Sequence, residues 1–378
     1  MTNITRRRTL KMGTALFASG TIAGCLGSSS GDGSDGSTTV QTSFFVLTDF
    51  ARNVVGDAAN AESLVPIGQH GHGWEPSAQV QRDAMQSDAV VYMGEGFQPW
   101  ADRMVKNVEQ DRPEITIVEA RHGISLLSAP GHSDEHGHEG DNHDGEHEEE
   151  NHGNETDHGH EEGEHNDGDN HEGENHGNEN DTNHEEGEHH DESENGHDHG
   201  ASDPHFWLDP QRAKQAVSTI ESGLSEMDAV SGEALTGNAE DFRNQLDELD
   251  STFESELEST ERNAVLVAGH NAFQYLGERY GFEIHALTGL APDSSPSPKD
   301  VQRAQNTIEE HDITHVLAPV FESDRAAKQL VSETDAKDHL PITPIPSVTE
   351  EWSEKDWGYI EIMEQVNLPS LKTALGVK

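Results

Sequence analysis

One cysteine, Cys25, in 378 residues excludes disulfides within the chain and any thiolate metal centre. Basic side chains are also scarce: 23 Lys and Arg stand against 74 Asp and Glu, for a net charge of -51. That balance leaves no basic patch for a phosphate backbone, so nucleic acid is excluded as a partner. No apolar run is long enough to span a bilayer. The scarcity is sharpest in residues 131–200, which contain no Lys, no Arg and no apolar side chain. Such a stretch cannot bury a core and is expected to be solvated and disordered.

What the same stretch does contain is 16 of the 25 histidines, together with 27 Asp and Glu. Dense imidazole and carboxylate on a tether makes a metal-collecting surface. The remaining 308 residues still carry 24 excess negative charges, spread too broadly to form a substrate site. A solvated acidic exterior of this kind suits a halophilic setting, where repulsion is screened within about 3 Å at 1 M salt.

Residues 1–25 are expected to be a targeting segment. Thr5-Arg6-Arg7-Arg8-Thr9-Leu10-Lys11 has the form of a twin-arginine export signal, and Ile22-Ala23-Gly24-Cys25 that of a lipoprotein cleavage box. Lipidation at Cys25 would anchor the chain to the outer face of the cytoplasmic membrane, with a Gly/Ser/Asp tether over 26–40.

Short apolar runs alternate with helical patterns, which predicts an α/β fold with parallel sheets. The expected strands are Thr42–Leu47, Ser63–Ile67, Asp88–Met93, Ile115–Val118, Ala264–Ala268, Glu283–Leu287, His315–Pro319 and Ile342–Ile345. Helices are expected at Asp49–Ala59 and near 272–280, 299–310 and 324–334. Between the halves, Ala213, Ala216, Val217, Ile220 and Leu224 recur at helical spacing, as do Phe242, Leu246, Leu249, Phe253 and Leu257. The second stripe is an amphipathic core helix placed to act as a strut. The expected plan is a lobe over 41–230 carrying the insert at 131–200, a connecting helix over 231–260, and a second lobe over 261–378.

Three histidines outside the insert sit at ends of expected strands. His72 lies in Gly71-His72-Gly73-Trp74-Glu75-Pro76-Ser77, His205 in Asp203-Pro204-His205-Phe206-Trp207-Leu208-Asp209-Pro210, and His270 closes Val265-Leu266-Val267-Ala268-Gly269-His270. Ligands of open α/β sheets bind beyond the carboxyl ends of strands. Neutral imidazole suits Zn(II), and three nitrogens leave one coordination position open. His285, His311, His315 and His339 share no motif and are expected in surface or satisfied core positions. Gly94-Glu95-Gly96 is too short for a phosphate loop and is expected to be a strand-end turn.

At these motifs the chain resembles the zinc/manganese solute-binding lipoproteins of ABC importers, the ZnuA-like cluster A-I family. The resemblance covers residues 42–376 apart from the insert. It rests on Asp49 to Asp57, His72 to Ser77, Val90 to Phe97, Asp203 to Pro210, His270 to Phe273 and the closing pattern Tyr359 to Leu375. It implies two α/β lobes joined by a long rigid helix, with one ion held between them by His72, His205 and His270. It also implies an ABC permease with its ATPase as partners, and a monomeric receptor. Zinc-specific members carry a His-rich insert between the first and second ligands, where this chain has one. Manganese-type members place an Asp in the last strand-end loop, where this chain has Pro344-Ile345-Pro346-Ser347. Mn(II) favours oxygen-rich sites, so both features point to zinc. Where the family has Glu near Leu317 to Ser323, this chain reads Ala318-Pro319-Val320-Phe321-Glu322, with Glu322 displaced along the chain. Water, His70, Glu350 and an insert histidine are the candidates for the fourth position.

Two other classes remain open on the residues themselves. Three histidines and a water also describe a hydrolytic zinc site, although no His-Glu-x-x-His motif supplies a base. A surface metal buffer or adhesin-like protein would make the insert itself the main function.

Overall fold

The computed structural model describes residues 38–69, 74–129, 202–227, 230, 232–291 and 294–377. The expected targeting segment with Cys25, the residues around His70 and His72, and the His-rich stretch lie outside the described residues.

The first half holds β1 (Thr39–Thr42), α1 (Phe45–Val55), β2 (Asn60–Ser63), α2 (Ala78–Gln86), β3 (Ala89–Tyr92), α3 (Pro99–Asp111) and β4 (Thr116–Glu119). These strands form a parallel sheet in the order β2-β1-β3-β4. Two short strands, β5 (Leu127–Ser128) and β6 (Ser202–Asp203), pair antiparallel and close the neck from which residues 130–201 emerge. Two helices follow, α4 (Pro210–Leu224) and the 26-residue α5 (Gly232–Leu257). The second half contains β7 (Ala264–Val267), α6 (Gln274–Tyr280), β8 (Glu283–Ala286), α7 (Pro298–Glu310), β9 (His315–Pro319), α8 (Arg325–Glu333) and β10 (Asp338–Ile342). Its parallel sheet runs β10-β9-β7-β8. Helices α9 (Glu350–Glu354), α10 (Tyr359–Ile362) and α11 (Leu368–Leu375) end the chain, the last two joined by a π-helical turn at Met363–Asn367.

The expected strands at 88–93, 115–118, 264–268, 283–287 and 315–319 form close to their predicted positions. Two others moved. Phe45 to Leu47 opens α1 instead of forming a strand, because Val46, Leu47, Phe50, Ala51, Val54 and Val55 bury one helical face. The strand of that unit lies earlier, at Thr39–Thr42. The last strand ends at Ile342, since Pro344 and Pro346 cannot donate to a ladder. Asp209 caps α4 by accepting from Gln211 N at 2.8 Å, and Pro210 fills the first helical position.

One apolar cluster runs through the whole molecule. It joins Val40, Phe44 and Phe50 of the first half to Val265, Leu317 and Leu371 of the second by way of Phe242, Leu246 and Phe253 on α5. Smaller clusters fill the outer side of each sheet. At the turn after β3, Gly94 adopts φ +132°, and a Cβ there would stand 2.4 Å from Arg121 Nε.

Asp49 on α1 accepts the Tyr359 backbone N–H at 3.0 Å, tying α1 to the start of α10. Burial, reinforced by Glu361, pushes its carboxyl up to about 6, against the pull of Tyr359 N–H and Arg52. A carboxyl that holds its proton more tightly when folded supports the fold below its ordinary value of 3.8, and that support fades as pH rises through about 6. Replacing Asp49 with Asn is therefore expected to raise stability relative to wild type progressively over that window. Urea unfolding at a series of pH values and fixed salt would show it; a pH-independent difference would refute the assignment.

Candidate metal centre in the interlobe crevice

In each sheet the strand order reverses beside the first strand, between β1 and β3 in one and between β7 and β9 in the other. Side chains beyond the carboxyl ends of such strands face an open crevice. His270 follows β7 by three residues and Glu322 follows β9 by three, so the β7/β9 reversal brings them together. Glu322 accepts from His270 Nδ1 and, at 3.3 Å, from the His270 backbone N–H. A carboxylate can only accept, so the imidazole proton sits on Nδ1 and Nε2 is the basic nitrogen. Gly269 makes the approach feasible: a Cβ there would stand 2.5 Å from Glu322 Oε2 and 2.5 Å from Pro319 Cγ.

His205 is built the same way. It follows the neck strand β6, is 1% exposed, and donates from Nδ1 to Asp203 Oδ1 at 2.8 Å. Its own backbone N–H meets the same oxygen at 2.9 Å. Burial pushes the His205 imidazole below its ordinary 6.5, against the opposing pull of Asp203, so the ring stays neutral at neutral pH.

The His205 and His270 ring centres are 5.5 Å apart. Two imidazoles on one tetrahedral ion, each nitrogen about 2.0–2.1 Å from it, place their centres roughly 5 Å apart. Two carboxylate-oriented imidazoles at this spacing can share a divalent cation with little movement.

The surrounding segment is locked from both halves. Trp207 packs on Phe44 and Phe97 of the first half, with centres at 5.2 and 5.9 Å, and donates Nε1 to Pro344 O of the second at 2.8 Å. Tyr359 Oη donates to Trp207 O at 2.6 Å. Tyr275 Oη donates to Asp203 O at 2.6 Å and accepts from Leu127 N at 2.8 Å, so one hydroxyl clasps both sides of the neck.

Of the residues singled out in the sequence, His205 and His270 are brought together, while His70, His72 and Cys25 lie outside the described residues. Glu350 is exposed in the first turn of α9, and among the described residues no hydrogen bond or ion pair joins it to either histidine. Glu322, read in the sequence as displaced, is in fact the partner of His270: a turn with Glu322 N on Pro319 O at 3.1 Å folds it back. His285 and His311, expected to be unrelated, are neighbours with ring centres 4.8 Å apart.

Residues 40–374 match the profile of the family described as zinc-uptake complex component A, periplasmic (ZnuA). The chain belongs to that family. It is 26% identical to the zinc-binding protein AdcA of Streptococcus pyogenes over 343 residues, which cover 91% of this chain and 57% of that protein. The chain thus spans little more than half the length of these streptococcal relatives. To the high-affinity zinc uptake system protein ZnuA of Bacillus subtilis it is 26% identical over 339 residues, 90% of this chain and 88% of that one. Among solved structures, the Zn(II)-bound ZnuA-like domain of Streptococcus pneumoniae AdcA superposes with a TM-score of 0.63 at 24% identity, covering 90% of this chain and 99% of that one. The metal-dependent lipoprotein YcdH of Bacillus subtilis gives 0.63 at 23% identity, covering 90% and 100%. These two share the fold.

Replacing Glu322 with Gln, or Asp203 with Asn, removes the carboxylate that fixes a ring and should weaken divalent-ion binding at the crevice by about 10–100-fold. Gly269→Ala should act in the same direction by displacing Glu322. Competition titration against a chelator measures this, and unchanged affinity in all three variants would exclude the His205/His270 pair as ligands.

Proposed function

We propose that the protein is an extracytoplasmic receptor that captures Zn(II) in the interlobe crevice and passes it to an ABC permease and its ATPase. The observation that carries this reading is the His205–His270 pair, each ring held by its own carboxylate at a spacing fit for one ion. The family match and the zinc-binding relatives support the same cargo. His72 is the third ligand in this reading, from a segment outside the described residues. Zinc is favoured over manganese because both ligands are nitrogen and the loop after β10 offers prolines and Ser347 in place of a carboxylate. The chain is a binding protein and not an enzyme, and works as a monomer. Twin-arginine export and a lipid at Cys25 would hold it at the cell surface. The two sheets mark the lobes, with α5 as the strut between them.

Insert histidines bind zinc weakly and exchange it fast; the oriented crevice binds it tightly and receives it. A surface buffer would instead keep all of its capacity in residues 131–200. Zinc and manganese competition titrations on wild type, on the His72→Ala/His205→Ala/His270→Ala variant and on a deletion of 131–200 separate the two. One tight zinc-preferring site is expected in wild type and in the deletion variant, and none in the triple variant. Equal tight binding in the triple variant would remove the crevice proposal, and loss of all binding on deletion would favour the buffer.

The deletion should also leave the fold intact and slow acquisition only when zinc is scarce. Unfolding of the deletion variant in high salt, followed by circular dichroism, would contradict this.

A further inference from the structure

We infer a second zinc site on the outer edge of the C-terminal sheet, formed by Glu283, His285 and His311, apart from the crevice and independent of the function proposed above. Strand β8 is the edge strand of its sheet, and Glu283 and His285, two residues apart on it, point to the same face. His311 caps the carboxyl end of α7, which packs against that strand. One ligand atom from each of the three lies within 4.8 Å of the others.

The donor set and geometry suit zinc. Ligand atoms on a tetrahedral ion at about 2.0–2.2 Å stand roughly 3.3–3.5 Å from one another, and His285 Nε2 already sits 3.5 Å from Glu283 Oε2. That nitrogen is shut off from solvent and makes no hydrogen bond among the described residues. The His285 and His311 rings are tilted by 43° with centres 4.8 Å apart, so a small rotation of His311 completes the triad. The unsatisfied carbonyls at the end of a 13-residue helix add partial negative charge beside a bound cation. Three protein ligands leave a coordination position for water, so this ion would exchange more readily than one enclosed by protein.

The site predicts a residue-specific signature that the insert histidines cannot imitate. In the full-length chain, carbethoxylation of each histidine by diethyl pyrocarbonate is followed by peptide mass mapping during a zinc titration. His285 and His311 are expected to become protected together, at a common zinc concentration. In Glu283→Gln and in His311→Ala, protection of His285 should require about 10-fold more zinc or more, while the tight zinc affinity of the crevice, read by chelator competition, is unchanged. Modification of His285 and His311 at undiminished rates in millimolar zinc, or protection of the two at unrelated concentrations, would overturn the site. Failure of the crevice reading would appear separately, as absence of the tight component in the chelator competition with zinc protection of His285 and His311 intact.

Discussion

The burial of one short segment, Asp203 to Pro210, is the constraint on which the rest of the molecule depends. The segment's buried polar atoms have no solvent to turn to and are satisfied largely within the protein, with Asp203 Oδ2 left without a hydrogen bond among the described residues. Asp203 is fully buried and His205 nearly so, and each answers the other. The carbonyls of Asp203 and Trp207 are taken by Tyr275 and Tyr359, and the Trp207 indole by Pro344. Asp209 then caps α4 and receives Arg212 at 2.7 Å. A histidine held this way is neutral, oriented and ordered before any ion arrives, which lowers the entropic cost of coordination.

The other half of the crevice follows from topology. Both parallel sheets reverse their order beside the first strand, and the loop after β2 meets the loop after β10 through Gly68 N on Ser347 Oγ at 2.8 Å. His270 and Glu322 are 52 residues apart in sequence yet meet because β7 and β9 are adjacent. The same adjacency explains why a small residue is needed at position 269, where the Glu322 carboxylate passes close to the backbone.

Much of this was legible in the sequence, for physical reasons that also explain the misses. Strands buried on both faces are continuous apolar runs, and Ala264–Val267 and His315–Pro319 are of that kind. The stripes on α4 and α5 carry the 3.6-residue period over enough turns to be unmistakable. Phe44 to Leu47 misled because four apolar residues suit a strand or the first turn of a helix equally well. Helices α2 and α3 both passed unnoticed: α2 buries only Ala84, and on α3 the stripe of Trp100, Ala101, Met104, Val105 and Val108 went unread. Glu322 was hidden by a turn, which no periodicity announces. The meeting of His285 with His311 depends on a helix end packing on a strand 26 residues away in sequence, which spacing alone does not encode.

The continuity of the apolar cluster through α4 and α5 has a mechanical consequence. A clamshell opening would pull Tyr359 of the second half off Phe50 of the first, whose ring centres are 5.3 Å apart, and exposing an aromatic side chain of about 150–250 Å² at ~25 cal/mol per Å² costs roughly 4–6 kcal/mol. Other members of the shared cluster would be uncovered with them, so a wide opening is costly. The rim is fastened far more lightly, by bonds such as Gly68 N on Ser347 Oγ at 2.8 Å. Movement between the halves would therefore begin in these surface loops, over a frame held by the shared core.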